Sequence, residues 1–262
     1  METDQSTQGP KPIIEVVNVT KTYGKVQALR GANFSVYPGE VVALLGDNGA
    51  GKSTLVKTLS GVIQPDSGEV RAGGKPVKLS SPEDARVLGI ETVYQDLALA
   101  PDLDAAANMY LGRESLRKGI LGRLGFLDKA DMRRGTSEAF ERLGTGIQDT
   151  AAHVHTMSGG QRQAVAVGRA LTWATSVVLM DEPTAALGVV QSERVAQLIG
   201  QVRATGLSVV LISHNLPFVF DVTDRIEVLR LGRRVARFET GSATVEGVVA
   251  AMTGALVQEE EA

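Results

Sequence analysis

An α/β fold built around a buried parallel sheet follows from three adjacent features of the sequence. The run Val41-Val42-Ala43-Leu44-Leu45 is apolar and β-branched, as a strand covered on both faces is. The next eight residues, Gly46-Asp47-Asn48-Gly49-Ala50-Gly51-Lys52-Ser53, fit the phosphate-binding pattern G-x-x-x-x-G-K-[ST]. Thr54 to Leu59 then reads as an amphipathic helix. Strand, glycine loop and helix start aim backbone N–H groups and the positive end of a helix dipole at one point. Glycines let the backbone wrap a phosphate without Cβ clashes. In that arrangement Lys52 would reach the β- and γ-phosphates, and Ser53 would place its hydroxyl on Mg²⁺.

The remaining elements fit around this unit. Met1 to Pro12 is polar and reads as a disordered tail. Ile13 to Val19 alternates as a first strand, and Lys21-Thr22-Tyr23-Gly24 reads as a turn. Asn33 to Val36 suggests another strand, and Pro38-Gly39-Glu40 turns into the strand before the loop. Pro65-Asp66-Ser67-Gly68 is a turn, with short strands at Glu69 to Arg71 and Lys75 to Val77. Ser81-Pro82-Glu83-Asp84 starts a helix with Pro at its first position, and Ile90 to Tyr94 is a strand ending at Gln95.

From Asp104 to Gln148 strand signals vanish. Asp104 to Gly112 and Asp128 to Leu143 read as helices, separated by a Gly-rich basic piece, Arg117 to Gly125. This is a candidate helical insertion. Met157-Ser158-Gly159-Gly160-Gln161 precedes a helix to about Ala174, and Val177 to Met180 is a strand ending in Asp181-Glu182-Pro183-Thr184. A helix over Val189 to Ala204 leads to a strand over Leu207 to Ile212, ending in Ser213-His214. Ile226 to Arg230 and Arg233 to Phe238 pair about Gly232, and a last helix lies near Thr244 to Met252 before an acidic tail.

Bulk composition sets limits on function. A chain of 262 residues, 43% hydrophobic and 22% charged, is long enough for one large domain with a subdomain. A net charge of −3 gives no support for a nucleic-acid surface. With no cysteine, disulfides and thiolate metal sites are excluded. No apolar run approaches the roughly 20 residues of a membrane helix, and the N-terminus shows no secretion-signal pattern.

A phosphate loop needs a metal partner, and Asp181 supplies one at the carboxyl end of an apolar strand, where ligands bind in open α/β sheets. Glu182 beside it could orient or deprotonate an attacking water. Taken in order, Gly46 to Ser53, Gln95, Met157 to Gln161, Asp181-Glu182 and His214 resemble an ABC transporter ATPase subunit. The run Met157-Ser158-Gly159-Gly160-Gln161-Arg162-Gln163 is similar to the ABC signature. Asn108 to Glu114, Thr184-Ala185-Ala186-Leu187-Gly188 and Ser213-His214-Asn215 resemble the ATPases of bacterial importers of ribose, xylose and fructose. The resemblance spans about Ile13 to Gly254. It implies a P-loop NTPase core with an antiparallel β subdomain and a helical subdomain over about 96–157, flanked by tails at 1–12 and 255–262.

It also implies roles. Tyr23 would stack on adenine, and Gly46, Asp47, Asn48, Gly49, Ala50, Gly51, Lys52, Ser53 and Thr54 would hold the ATP phosphates. Ser53, Gln95 and Asp181 would surround Mg²⁺. Glu182 would orient or deprotonate the water, Gln95 would touch it and link the core to the helical subdomain, and His214 would contact the γ-phosphate and hold Glu182 in place. Ser158, Gly159, Gly160 and Gln161 would bind the γ-phosphate held by a second copy. The implied partners are that second copy, an integral membrane permease and, indirectly, a secreted sugar-binding protein, with no nucleic acid. The implied place is the cytoplasmic face of the cell membrane. His153, His155 and Trp173 match no motif and are read as structural. Three positions depart from the family pattern. Met157 stands for Leu, with similar volume. Gly168 stands for Ala, with about 1 kcal/mol less helix propensity. Gly188 stands for an Asp that helps join two nucleotide sites. The alternative reading, a soluble ABC ATPase acting on nucleic acid or ribosomes, calls for two ATPase units, a coiled coil or a basic insert; a P-loop kinase has no use for the signature.

Overall fold

The computed structural model describes residues 11–185 and 188–258. Most of the N-terminal tail, Ala186 and Leu187, and the last residues of the acidic tail lie outside them. Ten strands are present among the described residues: β1 (Ile14–Tyr23), β2 (Val26–Val36), β3 (Val41–Leu45), β4 (Ser67–Ala72), β5 (Lys75–Val77), β6 (Ile90–Val93), β7 (Val177–Asp181), β8 (Ser208–Ile212), β9 (Arg225–Arg230) and β10 (Arg233–Glu239). The helices are α1 (Lys52–Leu59), α2 (Pro82–Val87), α3 (Ala105–Met109), α4 (Ile120–Arg123), α5 (Lys129–Arg142), α6 (Gly159–Trp173), α7 (Val189–Ala204), α8 (Leu216–Val222) and α9 (Val245–Thr253).

The strands form two sheets. One is antiparallel, in the order β2-β1-β4-β5. The other runs β10-β9-β3-β8-β7-β6 and is parallel except for β10. Every residue of β3 is buried, because the period-2 alternation divides the strand between two cores. Val41, Ala43 and Leu45 join a core with residues of α6 to α9. Val42 and Leu44 join a second core with α1 and the antiparallel sheet. A third, smaller core gathers Met109 of α3, Ala139 and Phe140 of α5, and Ala164 and Val165 of α6. It forms the centre of the helical insertion and extends past 157 into the first turns of α6.

A buried ionic network fixes how the chain enters β3. Arg225, almost fully buried, donates to both oxygens of Glu40, at 2.7 and 3.1 Å, and to the Ser35 carbonyl at 2.6 Å. It also pairs with Glu227, which accepts from Arg237 across the β9–β10 ladder. Buried charge is tolerated only when paired and hydrogen-bonded in this way.

Several local readings need correction. Lys21 to Tyr23 is strand rather than turn: the Asp66 carboxylate accepts from Lys21 Nζ at 2.8 Å and from the Thr22 amide at 2.7 Å, which extends β1. β2 begins at Val26 and not near Asn33, carried by its long pairing with β1. α3 stops at Met109, before a turn with Gly112 at φ 78°. α8 was not anticipated; Asn215 caps it by accepting from the Phe218 amide. At Gly168 propensity is only part of the matter, since an added Cβ would lie 3.3 Å from the Phe140 ring and 3.4 Å from Met109 Sδ. The glycine lets α6 approach α3 and α5 closely.

Candidate active site

The phosphate loop follows β3 and is clasped between the two sheets. Gly46 has φ 149°, and a Cβ there would meet the Leu229 carbonyl oxygen at 2.1 Å. Gly51, at φ 105°, has the Ala28 carbonyl oxygen 2.6 Å from the same point. Only glycine fits either position. The Gly232 amide donates to the Ala50 carbonyl at 2.9 Å and closes the clasp. α1 starts at Lys52 with no side-chain cap, so the amides of its first turn have no intrahelical acceptor and remain available to an anion.

Lys52 curls back over the loop, donating from Nζ to the carbonyls of Gly46 at 2.7 Å and Asp47 at 3.1 Å. Burial lowers its pKa, against the opposing pull of Glu182, Asp47 and Asp181. These carboxylates therefore lie near the ammonium. Ser53 is exposed beside it. Burial, then the neighbouring Glu182, raises the Asp181 pKa, while Lys52 and Lys57 work against the rise.

Glu182 sits just past β7 in the left-handed region at φ 51°, its amide donating to the Ile212 carbonyl at 2.9 Å. For a residue with a Cβ this is a strained backbone of the kind found at functional sites. Its side chain is mostly buried, and Oε2 lies 2.9 Å from His214 Nδ1. The approach is close but not aligned as a hydrogen bond, and that oxygen has no hydrogen-bond partner. His214 is held between the end of β8 and the cap of α8 and is itself exposed. Val93 pairs with Met180 in register, so exposed Gln95 leaves the sheet beside Asp181 and Glu182. Tyr23, half-exposed, ends β1 at the tip of the β1–β2 hairpin, with Lys21 Nζ 5.9 Å from its ring centre.

The fold thus brings together the phosphate loop, Asp181, Glu182, His214 and the Gln95 segment. It places Ser158 to Gln161 elsewhere, at the start of α6 beside α7. There Ser158 Oγ accepts from the Gln161 amide, and Gln161 Oε1 accepts from the Ser158 amide, a reciprocal cap. A cleft joins Ser158, Gly160 and Gln161 to Gln191 and Arg194 of α7. Exposed His153 and His155 bond the carbonyls of Asp102 and Pro101. Trp173 donates to the Met109 carbonyl and packs edge-on to Tyr110.

Ser53, Gln95 and Asp181 offer a hydroxyl, an amide and a carboxylate, all oxygen donors of the kind Mg²⁺ prefers. Among the described residues no cluster of three His, Cys, Asp or Glu could hold a metal alone. Such a set fits an ion completed by phosphate oxygens and water.

One residue was not anticipated. Arg169, in α6, donates from its guanidinium to the carbonyls of Leu97 at 3.1 Å and Ala98 at 2.9 Å. Leu97 and Ala98 are both left-handed, at φ 63° and 45°. The arginine holds in place the strained turn that follows Gln95, and burial lowers its own pKa. Nothing in its sequence position reveals carbonyl partners 71 and 72 residues away.

A family model described as ABC transporter matches residues 29–185. The fructose import ATP-binding protein FrcA of Rhizobium meliloti is 51% identical over 254 residues, covering 96% of this chain and 98% of that one. The xylose/arabinose import ATP-binding protein XylG of Sulfolobus acidocaldarius is 45% identical, covering 92% and 94%. A ribose import ATP-binding protein RbsA of Burkholderia pseudomallei is 40% identical, and this chain spans 48% of its length. Among solved structures, a dimeric ATP-binding cassette in a post-hydrolysis state with ADP and Pi superposes with TM-score 0.73 at 27% identity, covering 87% of this chain and 98% of that one.

Two outcomes are expected from this geometry. Burial raises the Asp181 pKa above its ordinary value, so between its unfolded and folded pKa values the folded state holds the extra proton, and stability falls as pH rises through that window. Asp181→Asn should therefore raise the thermal midpoint of the nucleotide-free protein at neutral pH while abolishing metal-dependent ATP binding. An unchanged or lower midpoint contradicts the burial effect. Arg169→Ala should lower kcat by about tenfold while KM for ATP changes little, the pattern of a lost transition-state arrangement. Arg169→Lys should not restore it, because an ammonium lacks the planar fork. Wild-type kcat in the alanine variant removes the link from the mechanism.

Proposed function

From the premise that this chain belongs to the ABC transporter family, we propose that it is the ATP-hydrolysing subunit of an importer for a monosaccharide. Two copies close head to tail on ATP and reopen after hydrolysis, driving a separate membrane permease. Near-complete coverage at 51% identity to a fructose import subunit, and at 45% to a xylose/arabinose import subunit, supports the sugar class. The sugar itself is chosen by other chains. No described helix is long and apolar enough to cross a membrane, so the reading puts the chain against a permease on the cytoplasmic face, with a sugar-binding protein acting from outside. The helical insertion near Asp96 to Leu111 is where we expect a groove for a permease helix, and the cleft lined by Arg86, Glu91, Tyr94, Leu111, Arg113 and Trp173 at its edge is the candidate.

The observation that carries hydrolysis is the unpartnered Glu182 Oε2, strained into place beside His214. That carboxylate accepts the hydrogen bond of the attacking water and draws off its proton as the new bond to the γ-phosphorus forms. The bond to the bridging oxygen breaks, and ADP leaves. His214, with Nδ1 2.9 Å from Glu182 Oε2, is placed to hold the carboxylate once the two align. Lys52 exchanges its two carbonyl acceptors for phosphate oxygens, which its charge favours. Ser53 and Asp181, with Gln95 near, would hold Mg²⁺, which when bound would neutralise developing phosphate charge. Tyr23 stacks on adenine. Ser158, Gly159, Gly160 and Gln161 of the second copy close the γ-phosphate side with a hydroxyl, amides and a helix dipole.

Glu182→Gln should leave ATP affinity in place and slow turnover by about a hundredfold or more, the range for a lost general base. The ATP-bound dimer should then accumulate on a sizing column. Wild-type turnover in this variant would take Glu182 out of the mechanism.

A further inference from the structure

We propose that the arm between Ser115 and Leu127 is a contact surface for the anionic lipid headgroups of a membrane. The arm is ordered. The Asp128 amide donates to the Ser115 carbonyl at 2.7 Å, and the Arg117 amide to the Phe126 carbonyl at 2.9 Å. A bridge joins Leu116 to Leu127, and α4 forms the tip. A Cβ at Gly122 would lie 1.8 Å from the Arg117 carbonyl, so the arm closes tightly on itself. Yet Leu116, Ile120, Leu121, Leu124, Phe126 and Leu127 are all exposed, Ile120 by 75% and Leu124 by 68%. None belongs to the three cores. A folded arm that holds its apolar side chains outward presents a surface built for an external partner.

Charge says which partner. Arg117, Lys118 and Arg123 are exposed, and no acidic residue lies between 115 and 127, in a chain of net charge −3. The flanking acids are engaged at the base: Glu114 accepts from the Gly112 amide, and Asp128 caps α5 by accepting from the Asp131 amide. Apolar tips interleaved with cations match an anionic membrane interface. The cytoplasmic loops of membrane proteins carry excess Lys and Arg themselves, so they would repel this arm. The arm starts two residues beyond Arg113, on the rim of the cleft proposed for the permease. Two copies in a dimer would present two arms and bind by avidity.

This goes beyond the permease reading and is tested without a permease. The full chain is floated with phosphatidylglycerol-containing or pure phosphatidylcholine vesicles at low salt. Binding is expected only to the anionic vesicles, falling on addition of salt. Arg117→Gln/Lys118→Gln/Arg123→Gln and, separately, Ile120→Ser/Leu124→Ser/Phe126→Ser should each weaken it about tenfold or more. Both should keep the wild-type thermal midpoint and basal ATPase rate, since every substituted side chain is exposed and outside the catalytic residues. No flotation, equal flotation with neutral vesicles, or unchanged flotation of both variants overturns the proposal. So does a result in which the variants lose binding only to a detergent-solubilised permease, which would assign the arm to protein contact.

Discussion

The close passage of the phosphate loop between two backbones governs the rest of the structure. Gly46 lies against the Leu229 carbonyl and Gly51 against the Ala28 carbonyl, at distances no Cβ allows. The loop is thus the seam between the sheets, and Gly232 bonds both sides: its amide donates to Ala50, and its carbonyl accepts from Arg30. This clasp fixes where Lys52 begins α1. It also gathers Lys52, Asp181 and Glu182 into a half-buried cluster whose burial works against charge on both Lys52 and Asp181.

Within one chain Ser53, Gln95 and His214 around this cluster are exposed. The signature turn of α6 is complete as a helix cap but is built onto the helical core, where it neighbours α7. Two physical links still tie it to the cluster. α6 itself passes from the helical core to the main one, with Val165 in the first and Ala166 and Val167 in the second. Arg169 on that helix grips the turn after Gln95. A displacement of the helical insertion therefore bears directly on the glutamine segment. Gly188 caps α7 with backbone alone, so the side chain that joins sites elsewhere in the family has no counterpart at that position.

What could be read from the sequence was what local physics decides. β3, the phosphate loop and α1 form one continuous signal, and the two carboxylates at the end of β7 and His214 after β8 lie at the ends of apolar runs. The helix caps at Ser81 and Ser158 were legible for the same reason. What escaped was decided at long range. Polar Gln27 and Arg30 hide the first half of β2, which exists because β1 pairs with it. Asp66 extends β1 from 44 residues away. Leu216 to Val222 mixes Pro, Phe and Val, and only the Asn215 cap marks it as a helix. Asn108, within the run that resembles the importers, is buried and joins α3 to the preceding loop through both the amide and carbonyl of Ala100. Arg169 and its carbonyls share no local pattern at all.

The central claim is that each ATP lies between the loop of one copy and the signature of another. Mixed, differently tagged dimers test it most directly, by the nucleotide they retain after purification. One dimer pairs a Lys52→Ala copy with a Ser158→Phe copy, which puts both defects in the same shared site. The other carries both changes in one copy beside an unaltered partner, which leaves each site with one defect. The account predicts about one ATP retained per dimer in the first arrangement and almost none in the second, as two-fold symmetry of shared sites requires. Equal retention in the two arrangements would contradict it.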